Sequence, residues 1–531
     1  MGKRKRDVAD ETRPVTAVKS RKEQPASTPK LVSREKLPAN KSKNLPVAAN
    51  GFAMEVNGKA KETATDTADK PSETTTIQII TGSYERVLHG FTAALPRTLI
   101  TRHGNPDEAS KEDEDAKVNF SDTFLFNAHA SAIRCLALSP PSDETSKITL
   151  ATGSTDERIN VYSLSTAPPL PSKSKPPLPT LHGTSITQNS KNKELGSLLH
   201  HSSSITALYF PTRSKLLSSA EDSTITITRT RDWTPLSTIK APIPKPQGRP
   251  SGDTAAPGEV PAGINDFAVH PSMKLMVSVG KGEKCMRLWN LVTGKKAGVL
   301  NFGKEVLVAG GEGRFGSGEG RRVAWDAEGE EFVVAFERGA VIFGIDSKPK
   351  AKVMPTPRTK LHQMHYLPGS SHPNILAAST EDGRIMLYET SSTTPCPEKH
   401  DKQEDIPTCT LLGQLGGPAA GITGRVKDFS ILPLPSDDAS FLFVTGSSDG
   451  SGRIWLLSAV DLQSNTKQSQ PQSGFTAKQV GKLLGTYSTG NRITCLESFI
   501  MTGKPDKLED VEREKEGDVN KSSSDEGSDS E

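Results

Sequence analysis

HASAIRCLALSP at residues 129–140 with ITLATGSTDERINVYSL at 148–164, and HSSSITALYFPTRSKLLSSAEDSTITITR at 201–229, decide the fold. Both read as strand, turn, strand, tight turn, strand. Within the first strand Ile133, Cys135 and Ala137 share one face, the two-residue period of a pleated strand. Four further copies start at Ile264, Arg321, Leu361 and Val426, the one at Arg321 being the weakest. Asp156, Asp222, Asp382 and Asp449 occupy the same place in their copies, the turn before the third strand. An Asp side chain there caps backbone N–H groups of a tight hairpin. The spacing from Asp156 to Asp222 is 66 residues and from Asp382 to Asp449 is 67. A bare four-stranded repeat needs only about 40–45, so insertions are expected. Residues 96–120, 166–195, 241–262, 391–420 and 459–480, rich in Ser, Pro, Gly or charge, are the candidates for rim loops.

Repeats of this kind stack radially, and an open array would leave a raw sheet edge. TTTIQIITGSYERVLHGFTAAL at 74–95 offers outer and inner strand material, and NRITCLESFI at 491–500 offers another strand. Pairing the two ends would close the ring. The expectation is an all-β propeller over residues 74–500, seven-bladed, with six or eight blades as the alternatives. A disordered basic segment (1–73) and a disordered acidic, Ser-rich tail (501–531) flank it.

The composition agrees with a core carrying polar appendages: hydrophobic residues are 33% of the 531 and Gly and Pro number 44 and 38. The formal charge of +3 conceals opposite ends. Residues 1–50 hold thirteen Lys/Arg against five Asp/Glu, and residues 505–531 hold four against eleven. Lys3, Arg4, Lys5 and Arg6 form a basic cluster suited to an import receptor, with a solvated tail as the alternative. No apolar stretch comes after it, so it does not read as a signal peptide, and no long apolar run suggests a membrane span. Cys135, Cys285, Cys396, Cys409 and Cys495 are scattered, with no C-x-x-C pair, and read as reduced thiols. Ser522, Ser523 and Ser528 each have an acidic residue three positions on, a pattern an acidophilic kinase could phosphorylate.

The copies resemble WD repeats, including Leu288-Trp289-Asn290, where Asn replaces the usual Asp. GSYERVLHGF (82–91), ATGSTDERINVY (151–162), LLHHSSSITALYF (198–210), HPSMKLMVSVGKGEKCMRLWNLVTGK (270–295), GRVKDF (424–429) and TGNRITCLESF (489–499) are more specific. In that order they resemble the PAK-interacting, large-ribosomal-subunit-assembly WD-repeat family. The resemblance implies a nuclear and nucleolar scaffold in maturation of the large (60S) subunit and its pre-rRNA, partnered by pre-60S particle proteins. In animal relatives it also implies negative regulation of a PAK-type kinase. It further implies that His129, Thr152 and Asp156, His201, Ser218 and Asp222, with Trp289, Asp382, Thr445, Asp449 and Trp455, form the structural WD network. Departures exist: the second copy ends in Thr228-Arg229, and the fourth lacks the Asp turn.

Enzymatic readings are weaker. His129, Thr152 and Asp156 imitate hydrolase components, yet the set recurs at equivalent positions of another repeat, which catalysis would not need. Gly311, Gly313 and Gly316 match a dinucleotide fingerprint, but the next ordered segment, RRVAWDAEGEEFVVAF at 321–336, reads as strands rather than the required helix. His200, His201 and His270 lack paired cysteines at zinc-ligand spacing. No cofactor, metal or small-molecule substrate is therefore expected. The basic segment 1–43 could contact rRNA phosphates, or merely serve import. Arg425, Lys427 and Arg492 lie beside repeat starts, where a partner surface could form.

Overall fold

A computed structural model describes residues 74–101, 117–142, 145–168, 178–179, 185–186, 189, 191–243, 262–313, 316–369, 372–394, 406–434, 437–462 and 477–502. These all fall in the compact unit that starts at Asp69. They build an all-β, propeller-like array of four-stranded antiparallel sheets. From inner to outer strand, one sheet is Ile133–Leu138, Lys147–Ser154, Ile159–Ser165, Lys193–Leu198. The next are Ile205–Thr212, Lys215–Ala220, Thr224–Arg229, Pro235–Lys240 and then Ile264–Val269, Leu275–Gly280, Cys285–Asn290, Lys295–Asn301. Arg322–Trp325, Glu331–Ala335, Ala340–Gly344, Pro349–Val353 come after them. Leu361–Tyr366, Ile375–Thr380, Arg384–Thr394, Thr408–Gly416 lie beside these, joined by one parallel pairing of Lys352 with Thr408. Val426–Leu434, Asp437–Ser447, Ser451–Ser458, Lys482–Ser488 form a further sheet.

The ends of the chain share the remaining sheet: Ile493–Ile500, Thr74–Ser83, Val87–Pro96, Asn119–Asn127, with the two-residue strands Ser185–Ile186 and Leu178–Pro179 attached beyond the last by one parallel pairing of Ile186 with Asp122. Ile77 pairs with Ile500 and Thr81 with Leu496. The first and last segments thus join, but not in the expected places. Residues 74–95 supply the two middle strands, the C-terminal segment supplies the inner one, and Asn119–Asn127 the outer one. Across this seam Tyr487, from the neighbouring sheet, donates to Asp122 Oδ1 at 2.5 Å, and His89 Nε2 meets the same oxygen at 2.7 Å. Tyr487 also stacks on Phe91, with ring centroids 4.4 Å apart.

Apolar clusters straddle consecutive sheets: Leu217, Ile225 and Ile239 pack with Phe267, Met276 and Trp289, and Leu387 and Leu415 with Phe429 and Trp455. Both faces of each sheet are therefore covered. Middle strands consequently lose the polar–apolar alternation of a half-solvated strand: all of Glu331–Ala335 is buried. Outer strands keep polar faces, as in Pro235–Lys240, where only Ile239 is buried.

A repeated glycine sets how closely the sheets approach. Thr81-Gly82-Ser83, Thr152-Gly153-Ser154 and Thr445-Gly446-Ser447 are the same triplet in three sheets. A Cβ on these glycines would lie 2.7 Å from Ile133 Cγ2, 2.7 Å from Ile205 Cγ2 and 2.8 Å from Ile493 Cγ2, respectively. Each Ile opens the inner strand of the next sheet. The side-chain-free position is what admits it.

Most of the expected rim loops carry some regular structure. Residues 391–420 are not simply a loop, because Thr408–Gly416 forms an outer strand on Arg384–Thr394. Its apolar content (Cys409, Leu411, Leu412, Leu415) was outweighed by the Pro- and charge-rich stretch before it. Short helices, Arg97–Thr101 and Ala459–Leu462, likewise begin two other expected loops, and the one expected at 166–195 contains the paired short strands Leu178–Pro179 and Ser185–Ile186. Lys3, Arg4, Lys5, Arg6, Ser522, Ser523, Ser528 and Cys396 lie outside the described residues.

Candidate functional site

The inner strands run side by side, each touching the inner strands of the sheets before and after, and Ile493–Ile500 returns to Ile133–Leu138. Polar side chains lace them together. Asn265 Nδ2 donates to the Gly320 carbonyl at 2.8 Å, and Asp266 accepts from Val323 N–H at 3.0 Å. Arg322 Nε donates to the His362 carbonyl at 3.3 Å, Asp428 accepts from Leu496 N–H at 2.9 Å, and Thr494 donates to the Ile133 carbonyl at 2.6 Å. Satisfied bonds of this kind hold the strands in one register.

Where these strands begin, charged side chains gather around a mouth. Glu221 takes Arg134 at 3.0 Å and Lys281 at 3.7 Å; Glu337 takes Lys360 at 2.8 Å and Arg321 at 3.5 Å. Arg425 meets Glu381 at 3.2 Å. Arg492 gives its backbone N–H to Glu85 and lays its guanidinium 5.7 Å from the centre of the exposed Tyr84 ring. Lys427 is different. Its ammonium sits 3.3 Å from His362 Nε2, and among the described residues no carboxylate lies within ion-pair distance of it. Burial, then the charge of Arg425, push the Lys427 ammonium below the usual lysine range against the opposing pull of Glu381, with Arg492 and Lys360 adding to the push. Burial, then Lys427, Arg322, Arg425 and Lys360, hold His362 down to about 4. Arg425, Lys427 and Arg492 therefore do converge, and Arg322, Lys360 and His362 join them. Sequence reading missed the last three because they come from two other repeats.

Behind the mouth, burial pushes the Asp428 carboxyl up to about 6 and the Glu497 carboxyl up to about 8, the latter helped by the Asp428 charge.

The histidine sets lie between strands and turns of single sheets. His129 Nε2 is 2.7 Å from Thr152 Oγ1, and its Nδ1 is 3.1 Å from Asp156, which also accepts from Ala130 N–H at 2.9 Å. His201 Nε2 is 2.8 Å from Ser218 Oγ, and its Nδ1 is 3.2 Å from Asp222 and 3.0 Å from Thr224 Oγ1. Both histidine side chains have 0% exposure, so no substrate can reach either ring. Burial opposes ionisation of Asp222, but bonds from His201, Thr224 and Ser202 hold it down to about 2.

Other sheets solve the same position with arginine. Arg384, fully buried, pairs with Asp382 at 2.6 Å and donates to the Thr356 carbonyl at 2.8 Å. Arg453 pairs with Asp449 at 3.1 Å, and Arg287 pairs with Glu283. Thr445 Oγ1 reaches the Arg453 carbonyl at 3.4 Å. Trp289 donates to Ser278 at 2.8 Å, and Trp455 packs in the apolar cluster between two sheets. The signal for the arginines was present in DGRIM (382–386) and DGSGRIW (449–455), where Arg comes two or four residues after the turn Asp.

Among the described residues no cluster of His, Cys, Asp and Glu is arranged to hold a metal ion, and no helix is long and apolar enough to cross a membrane.

The family model "WD domain, G-beta repeat" matches residues 120–163 and 192–228. Each match begins on the outer strand of one sheet and continues through three strands of the next. Protein MAK11 of Saccharomyces cerevisiae is 27% identical over 446 residues, covering 79% of this chain and 82% of that protein. The p21-activated protein kinase-interacting protein 1-like of Xenopus laevis is 23% identical over 427 residues, covering 80% and 83%. Human p21-activated protein kinase-interacting protein 1 is 24% identical over 245 residues, 46% of each chain. The chain is a WD40-repeat protein, distantly related to MAK11 and the p21-activated protein kinase-interacting proteins.

Proposed function

We propose that this chain is a seven-bladed β-propeller that serves as a non-catalytic protein-binding scaffold in nucleolar assembly of the large (60S) ribosomal subunit and maturation of its pre-rRNA. The observation that carries the scaffold reading is the mouth of the inner strands. Its charged side chains stand on strands braced to their neighbours, while the histidine sets that could imitate an active site are closed to solvent. A rigid frame with exposed charge around it is built to hold partners, and fold alone does not name them. The ribosomal setting rests on the family resemblance of the segments from 82 to 499, and on relatives that align over about four-fifths of both chains.

In this reading Lys3, Arg4, Lys5 and Arg6 direct nuclear import, and residues 1–73 and 501–531 are appended to the propeller as basic and acidic segments. Residues 1–43 either serve import with a solvated spacer or add salt-sensitive contacts to rRNA. Ser522, Ser523 and Ser528 are phosphorylation sites that deepen the negative charge of the tail. His129, Thr152, Asp156, His201, Ser218, Asp222, Trp289, Asp382, Thr445, Asp449 and Trp455 act as structural ties. A second reading, direct binding and inhibition of a PAK-type kinase, is favoured by the names of the vertebrate relatives.

A tagged pull-down from nuclear extract, at moderate and high salt, separates the two. Recovery of large-subunit rRNA precursors with assembly factors is the expected result. Recovery of a kinase without those precursors would overturn the ribosomal reading in favour of the second.

A further inference from the structure

We infer that the sector of the mouth formed by Lys360, His362, Arg425, Lys427 and Arg492 is a docking site for an Asp/Glu-rich peptide segment of a partner protein. This rests on the protein-binding reading above and names the chemistry of what binds.

The residues come from three consecutive sheets and meet only because the inner strands start at one rim. Lys360, Arg425 and Arg492 are exposed, and Lys427 is half-buried among them. Glu337 serves Lys360 and Arg321 together, Glu381 serves Arg425, and Lys427 faces a neutral imidazole at 3.3 Å. The sector therefore holds more cation than its own carboxylates neutralise. Like charges at close range repel, and more strongly where burial keeps water out, as around Lys427. An incoming carboxylate removes that repulsion and gains forked bonds from the guanidinium groups.

Peptide suits this sector better than nucleic acid. Glu337, Glu381 and Glu85 stand between the cations, and a continuous phosphodiester chain would have to run past them. A peptide can place its carboxylates at the cations and spare the gaps. The exposed aromatic ring of this sector, Tyr84, already carries the Arg492 guanidinium, so it is no open platform for base stacking.

The test uses the purified full-length chain, a fluorescent poly-glutamate peptide and an oligouridylate of matched charge, with anisotropy read at several salt concentrations. The peptide is expected to bind saturably, more weakly as salt rises, and to outcompete the oligouridylate. Arg425→Ala with Lys427→Gln should weaken it about tenfold. Lys281→Ala, across the mouth beside Glu221, should leave it unchanged. Glu381→Gln should tighten it several-fold, a gain that a purely structural role for these residues would not produce and that a misfolded variant could not mimic. Preference for the oligouridylate, no saturable peptide binding, or weakening by Glu381→Gln would each overturn the assignment. A chain that ignores the peptide yet recovers large-subunit precursors refutes this site and leaves the scaffold intact. Peptide binding without precursors does the reverse.

Discussion

Replacing Gly153 by Ala tests how the sheets are spaced. The new Cβ would lie 2.7 Å from Cys135 Sγ, 2.7 Å from Ile205 Cγ2 and 3.0 Å from Ile205 Cβ. Carbon contacts are comfortable at about 3.5–4.0 Å, so the shortfall is roughly 1 Å. A flexible side chain could swing away, but Ile205 is β-branched and its Cβ is fixed to the inner strand of the next sheet. The strand itself must move, against the polar bonds that lace it to its neighbours. Overpacking of this kind costs about 1–3 kcal/mol. Removing a glycine returns about 0.4–1 kcal/mol through the unfolded chain, leaving a net loss of up to about 2.5 kcal/mol, centred near 1. Gly298→Ala is the control. It sits in an outer strand with its nearest atom, Leu288 Cβ, at 3.9 Å, and should be neutral or stabilising. Urea unfolding monitored by fluorescence of the four tryptophans reads both. Combining Gly153→Ala with Ile205→Ala should cost less than the sum of the two single changes. A midpoint for Gly153→Ala no lower than that of Gly298→Ala, or strict additivity in the double variant, would refute the reasoning.

Tyr487→Phe removes the donor to Asp122 across the closing sheet and should cost about 1–3 kcal/mol. Hydrogen exchange should accelerate first in Asn119–Asn127 and Lys482–Ser488, the two outer strands the bond joins, and unchanged exchange there would count against the tie. Glu497 keeps its proton in the fold up to about pH 8 but loses it near 4.5 when unfolded. The native state thus binds more protons over that interval, and stability falls as pH rises through it. Asp428, raised to about 6, acts in the same direction. Glu497→Gln should flatten the decline, seen as a smaller difference between unfolding midpoints at about pH 5 and about pH 8, with about 1.4 kcal/mol recovered per pKa unit. Arg384→Ala strands Asp382 beside an emptied cavity and should cost about 3–5 kcal/mol, whereas Arg384→Met with Asp382→Asn should recover much of the loss in the same urea assay.

Much of the architecture is written locally. The turn aspartates lie where the sequence placed them, before the third strands beginning at Ile159, Thr224, Arg384 and Ser451. Hairpins are short-range objects, so side-chain capping and strand period suffice to locate them. The arginine partners of Asp382 and Asp449 are equally local but are masked by the histidine sets, whose recurrence is the stronger pattern. The strand at Thr408–Gly416 was hidden by neighbouring polar sequence, because outer strands bury too little to leave a strong apolar pattern.

By itself the sequence determined the repeat, its phase, its turns and the joining of the two ends, because each copy carries its own strand period and turn chemistry. Tertiary structure alone decided which strand of the end segments lies innermost, why the TGS glycines cannot carry a side chain, and which charges share the mouth. Arg322, Lys360, His362, Arg425, Lys427 and Arg492 are distant along the chain. They become neighbours only when the inner strands pack rim to rim, so the burial and mutual repulsion that keep His362 neutral cannot be read from any one repeat.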